Sequence, residues 1–188
     1  MPPEVEQFAA THLKDPLRIE VAPSGTVPEK IEQELFVVEN REKFWLLEKL
    51  VAQHTGSIIV FCNQRWRTEK FAKALRSNGH NAAEIHKECD QKYRTDVLRA
   101  FKEGEVRILV ATDLAGRGLD IPAVELVVIF DLPHDPNSYP HRIGRTGRAG
   151  LGGKAIIFAT PDEVEHEIPK IEKLIGKQIP RSETPKLE

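Results

Sequence analysis

Two kinds of apolar pattern alternate along the chain. Short continuous runs, Ser57-Ile-Ile-Val-Phe-Cys62, Arg107-Ile-Leu-Val-Ala111, Val124 to Phe130 and Lys154 to Ala159, read as strands buried on both faces. Ile31 to Glu39 and Ala82 to Ile85 read as two more. Between them apolar residues recur every three or four positions. Arg41 to His54 is an amphipathic helix with Phe44, Leu47, Leu50 and Val51 on one side. Thr68 to Ser77 is helical and closed by Asn78-Gly79, and Gln91 to Phe101 is helical and closed by Gly104. Pro140 to Arg148 is partly helical. Pro161 opens an acidic helix to Leu174, with a kink expected at Pro169 and an end at Gly176. Strands alternating with helices predict an α/β fold, a three-layer α/β/α sandwich around a mainly parallel sheet.

The flanks read differently. Pro3 to Leu13 has helical spacing, Leu17 to Val21 alternates like a short strand, and Ala22 to Pro28 is a Pro/Gly/Ser-rich linker. Residues 1–28 are therefore expected to be an arm belonging to something upstream. Residues 29–176 form the main domain, and 177–188 a polar tail. With 188 residues there is room for one such domain and its appendages. The formal net charge of −2 confines any nucleic-acid site to a local patch. Cys62 and Cys89 have no paired spacing, which fits a reducing compartment and argues against a disulfide framework or zinc site. No apolar run approaches the ~20 residues of a membrane span, and Met1-Pro-Pro-Glu lacks the start of a signal peptide. A cytoplasmic protein without a membrane partner is expected.

Polar residues follow each apolar strand: Asn63-Gln64-Arg65, His86-Lys87, Thr112-Asp113 and Asp131. Any one of them is a natural helix cap. Together they gather on the carboxyl edge of the sheet, where open α/β folds bind ligands. Tyr139 to Arg148 carries Arg142, Arg145 and Arg148 at a spacing of three, and Pro136 to Pro161 contains no acid. Such a run of always-charged forks invites an anion from elsewhere. Glycines at 144, 147 and 150 argue against a merely solvated basic helix. In Thr112 to Asp120, Gly116 and Gly118 flank Arg117 and allow close backbone approach, while Asp120 can accept from hydroxyls such as those of a ribose. The bland alternative is a Gly-rich loop with a structural Arg117–Asp120 pair.

Taken in order, these stretches resemble the C-terminal RecA-like domain of the DEAD-box RNA helicases. Ile59-Val-Phe-Cys-Asn63 resembles the family's motif IV, Gln91-Lys-Tyr-Arg94 its QxxR motif, and Val110 to Asp120 its motif V. His141-Arg-Ile-Gly-Arg-Thr-Gly-Arg148 matches motif VI at every position. The resemblance runs from about Ile31 to Leu174. The arm from Val21 to Pro28 and the ending Leu174-Ile-Gly-Lys-Gln-Ile-Pro180 resemble the bacterial RhlE-like group. Neither a GxxxxGK[ST] phosphate loop nor Asp-Glu-Ala-Asp occurs; in the family these lie in an N-terminal RecA-like domain that holds the nucleotide and magnesium.

The resemblance implies half of an ATP-dependent RNA helicase, inactive by itself. Arg145 and Arg148 are implied as catalytic arginine fingers toward ATP, with Asp120 and Gly118 also on the ATP side. Arg94, Thr112, Gly116, Lys87 and Asn63 are implied on the RNA side. His141, Arg142, Arg117 and Gln91 are implied at the interface between domains. Mg2+ is expected with ATP on the N-terminal domain, and no metal site within this chain. Three positions depart from the family: Lys87 stands where Gly is usual, Ile129 where Asn is common, and Pro140 where Val is usual. A pure binding module and a DNA translocase of the same superfamily are the competing readings; the two intact fingers argue against the first, and the Arg-Gly-Leu-Asp and motif VI patterns against the second.

Overall fold

The computed structural model describes residues 3–13, 31–113, 121, 123–147 and 152–183. The strand and linker expected between 17 and 28 lie outside these residues. So do the loop from Leu114 to Asp120 and the stretch from Arg148 to Leu151.

After a helix α1 (Pro3–His12), the chain runs β1 (Ile31–Val37), α2 (Lys43–Gln53), β2 (Ile58–Phe61), α3 (Arg65–Ser77), β3 (Ala82–Ile85), α4 (Gln91–Lys102) and β4 (Ile108–Ala111). It continues through β5 (Leu126–Ile129), α5 (Ser138–Ile143), β6 (Gly153–Ala159), α6 (Pro161–His166), α7 (Ile168–Ile175) and β7 (Arg181–Ser182). The seven strands form one sheet in the order β3-β4-β2-β5-β6-β1-β7. Every pairing is parallel.

Side chains alternate across a strand, so the sheet has two apolar faces. Ile59, Phe61, Leu109, Ala111, Val127 and Ile129 point to one and pack with residues of α4, α5 and α7. Ile58, Val60, Ile108, Val110, Leu126 and Val128 point to the other, against α2 and α3. This is the expected three-layer sandwich. It also explains why the central strands read as unbroken apolar runs.

Register levels the strand ends. Phe61 sits opposite both Ala111 and Ile129, and Ile85 opposite Ala111. The next residues, Cys62-Asn63, His86, Thr112-Asp113 and Phe130-Asp131, therefore emerge side by side. At the opposite edge Arg107 ties the layers together. Its guanidinium donates to the carbonyls of His54 (2.7 Å) and Val51 (3.2 Å), which the end of α2 leaves open.

Element ends shift by a few residues throughout, and three differences from the sequence expectation have a clear physical reason. α3 begins at Arg65, three residues early, directly after the strand-end loop. The acidic helix is two helices that meet at Glu167, because Pro169 lacks the amide a continuous helix needs. The stretch expected as a polar tail contributes β7: Leu35 N–H donates to Pro180 O (2.8 Å), Arg181 pairs with Leu35, and Ile179 is buried in the core. One apolar anchor and two strand residues are too few to read in a polar sequence.

Candidate functional site

The C-terminal edge is built around Arg142. Its side chain is buried, yet every direction of the fork has an acceptor. Nε and Nη2 donate to the two carboxylate oxygens of Asp113 at 2.5 and 2.6 Å. Nη2 also donates to Asn63 Oδ1 (2.8 Å), and Nη1 to the Asp131 carbonyl (2.5 Å). The guanidinium carbon lies 5.4 Å from the centre of the Phe61 ring. A bidentate carboxylate and two further acceptors are what a buried cation requires.

Asp131 extends the network. Its carboxylate accepts from Asn63 N–H (2.9 Å) and from the guanidinium of Arg67. Asn63 closes the ring by donating from Nδ2 to Leu132 O (2.7 Å). Arg142 was expected among interdomain residues in need of an outside anion; its anion is the domain's own Asp113. Asn63, expected on the RNA side, spends its side-chain amide on Arg142 and Leu132.

One turn beyond, the chain is pinned to the strand entering the sheet centre. Thr146 hydroxyl donates to Val124 O (2.6 Å), and Val124 N–H donates to Arg145 O (3.0 Å). Gly147 takes φ +67°, and a Cβ on Gly153 would lie 2.3 Å from both Gly147 N and Thr146 Oγ1. Arg145, half-buried, thus sits on a fixed backbone, and His141 is exposed. Arg148, Arg117, Asp120, Gly116 and Gly118 lie outside the described residues.

A second corner forms where β3 ends. His86 is buried and lies 3.2 Å from Glu69 through Nε2, while its Nδ1 has no hydrogen-bond partner. Arg94 on α4 is half-buried, and its Nε is likewise unpartnered. Orphaned buried polar atoms are rare and ask for an explanation. Thr112 is buried between these groups and the Arg142 network, its N–H bonded to Ile85 O (3.2 Å). Lys87 and Gln91 are exposed. Glu88 pairs with Arg65, and Asp90 caps α4 by accepting from Tyr93 N–H (2.8 Å).

Nucleophilic chemistry finds no support. Burial, then the Asp131 charge, pushes the Cys62 thiol well up, and burial also raises Cys89. Neither is a ready thiolate. Burial, then Glu84, pushes the Tyr93 phenol up to about 12. Among the described residues no group of three or more His, Cys, Asp or Glu fits a metal ion.

Four participants escaped the sequence reading. Arg67 was assigned no role. Asp113 and Asp131 appeared as strand-end acids without partners. Lys43, fully buried, pairs with Glu163 at 3.1 Å and reaches Phe130 O at 3.4 Å. A lysine near the start of an amphipathic helix carries no signal of burial.

A parallel sheet thus carries an anchored, arginine-bearing turn at its carboxyl edge. The helicase conserved C-terminal domain matches residues 42–150. The chain belongs to that family, in its DEAD-box branch. The DEAD-box ATP-dependent RNA helicase CshA of Geobacillus kaustophilus is 42% identical over 190 residues, covering 100% of this chain and 40% of the relative. The ATP-dependent RNA helicase DbpA of Bacillus subtilis is 39% identical over 189 residues, covering 100% of this chain and 39% of the relative. Among solved structures, S. cerevisiae Dbp5 bound to RNA and ADP BeF3 superposes with a TM-score of 0.85 at 30% identity, over 97% of this chain and 49% of that one. The E. coli DEAD-box protein SrmB, bound to regulator of ribonuclease activity A, gives 0.75 at 36% identity, over 82% of this chain and 92% of that one. The fold is accordingly RecA-like. The chain spans 40% or less of the length of these curated relatives.

Proposed function

We propose that this domain supplies the arginine side of an ATP site shared with an upstream RecA-like domain. In the whole protein it serves an ATP-dependent RNA helicase that couples ATP hydrolysis to RNA strand separation. The anchoring of Arg142 carries the reading. Its charge is neutralised inside the domain, and its network fixes the backbone from which Arg145 and Arg148 follow. Those two arginines are the fingers that stabilise charge on the transferring phosphoryl group as the cleft closes. Asp120 and Gly118 flank the nucleotide. His141, Arg117 and Gln91 face the other domain, and Arg142 holds motif VI to Asn63 and Asp113.

RNA lies against the second corner. Arg94 with its orphaned Nε, Thr112, Gly116 and Lys87 meet phosphate oxygens, which positions a strand without reading its sequence, while Asn63 holds the neighbouring strand end in place. An ATP-dependent RNA helicase among the relatives, and a related domain bound to RNA and ADP BeF3, support both ligands. Mg2+ accompanies ATP on the upstream domain; the described residues do not fit it, and no step is assigned to it. Residues 1–28 are read as an arm that belongs with that upstream domain. The protein is cytoplasmic and, by its arm and ending, of the bacterial RhlE-like group.

The test uses the full-length protein. Arg145→Ala and Arg148→Ala should each lower RNA-stimulated ATP turnover by about 10³. Full turnover in either variant sinks the finger assignment. The 188-residue chain alone should bind ATP weakly and hydrolyse none, and tight binding would contradict a shared site.

A further inference from the structure

Within the seven-stranded unit, Trp66 is the one large apolar side chain exposed among the described residues, at 53%. It lies in the first turn of α3. That helix buries Thr68, Phe71, Ala72 and Leu75. At ~100° per residue, Trp66, Lys70 and Lys73 fall on the crest opposite that buried face. Lys73 follows Trp66 by about 10 Å along the axis. Lys70, Lys73 and nearby Lys87 are exposed and pair with no acid among the described residues.

The neighbouring arginines are spoken for. Arg65 pairs with Glu88 and Glu69, and Arg67 with Asp131. Arg67 also places its guanidinium carbon 5.3 Å from the centre of the Trp66 ring. The indole is thereby backed on one side by a cation that is itself tied to the strand-end network. Arg65–Glu88 ties the same turn to the loop carrying Lys87. The crest is therefore continuous with the carboxyl edge.

We propose that Trp66, Lys70 and Lys73 form a second contact for single-stranded RNA leaving the strand-end edge. One base stacks on the indole, and the following phosphates meet the two lysines. This rests on the reading of the edge as an RNA site. An aromatic platform beside unpaired cations is the chemistry of sequence-tolerant single-strand binding. A protein partner fits less well, because among the described residues of the seven-stranded unit no other large apolar side chain is exposed to widen a desolvated interface centre.

The test is fluorescence anisotropy on the 188-residue chain with labelled oligouridylates. One is about 5 nucleotides long, spanning the edge alone, and one about 16, reaching the crest. Wild type should bind the longer RNA more tightly. Trp66→Ala should weaken the longer RNA about fivefold or more and leave the shorter unchanged. Trp66→Tyr should restore most of the loss. Lys70→Gln with Lys73→Gln should lower the salt slope for the longer RNA by roughly 1.4, about 0.7 for each charge. Arg94→Ala should weaken both lengths. If Arg94→Ala changes neither while Trp66→Ala still acts, the edge reading fails alone. If Arg94→Ala weakens both while Trp66→Ala binds the longer RNA like wild type, the crest proposal is overturned. An equal loss at both lengths, an equal loss for a blunt duplex, or no RNA binding by wild type overturns it too. Far-UV circular dichroism checks that each variant keeps its fold.

Discussion

Removing the carboxylate of Asp113 should cost far more than its position on a strand-end loop suggests. Asp113→Ala takes away both oxygens that meet Nε and Nη2 of Arg142. The Arg142 side chain is 1% exposed and cannot turn to water, whereas Asp113 is 32% exposed. Breaking one half of a buried ion pair typically costs about 3–5 kcal/mol, because a charge is stranded. The solvent already reaching Asp113 lowers that to about 2–3 kcal/mol. With a urea dependence of about 2 kcal/mol per molar, the unfolding midpoint should fall by about 1–1.5 M. Tryptophan fluorescence and far-UV circular dichroism should report the same transition. Arg65→Ala is the comparison, because its partners Glu69 and Glu88 are 46% and 49% exposed; it should cost less than about 1 kcal/mol. The double change Asp113→Leu with Arg142→Met removes charge and counter-charge together. It still leaves Asn63 Oδ1 and Asp131 O without their donor. Its cost should fall short of the sum of the single changes by about 1–2 kcal/mol. If Asp113→Ala costs no more than Arg65→Ala, or the pair is additive, Arg142 is not held as described.

Glu163→Gln keeps the capping geometry with Thr160 but removes the counter-charge of buried Lys43; the loss should be about 2 kcal/mol, or a melting point about 4–8 °C lower, and an unchanged melting point would deny the pair. Burial raises the Glu34 carboxyl, but hydrogen bonds from Lys154 (2.8 Å) and Ser182 (2.6 Å) outweigh it and hold the group below its usual value. Its contribution is present above the usual carboxylate pKa of about 4.3 and lost as pH falls below it. The stability gap between wild type and Glu34→Gln should thus close between pH values of about 7 and 3; an equal gap at both would remove the charge from the account. Gly153→Ala drives a Cβ into backbone at Gly147 and should cost about 1–3 kcal/mol in a urea titration. Gly56→Ala, which meets only the movable carboxylate of Glu125, should cost less.

Much of the fold was legible because local pattern states which side of an element is buried. The unbroken runs at 58–61, 108–111 and 126–129 became the doubly covered strands β2, β4 and β5. The polar residues after them emerge on one edge because the register of those strands is level. Tyr139 to Arg148 stood out as an acid-free cationic stretch around which a phosphate-handling domain made sense. Nothing local marked β7, whose strand residues are Arg181 and Ser182. The burial of Lys43 was equally silent.

The sequence alone determined the layered α/β class, the edge on which the strand-end polar residues gather, and the family. Tertiary structure decided what holds Arg142. Arg142 and Arg145 are alike in type and spacing, and only the packed sheet separates them. It brings Asp113, 29 positions away, under Arg142, and ties the backbone at Arg145 to Val124. It also brings Glu163 to Lys43 across 120 positions. Periodicity encodes the orientation of a side chain on its own element. The partner of a charge depends on the register between elements far apart in the chain, and that is fixed only when the core closes.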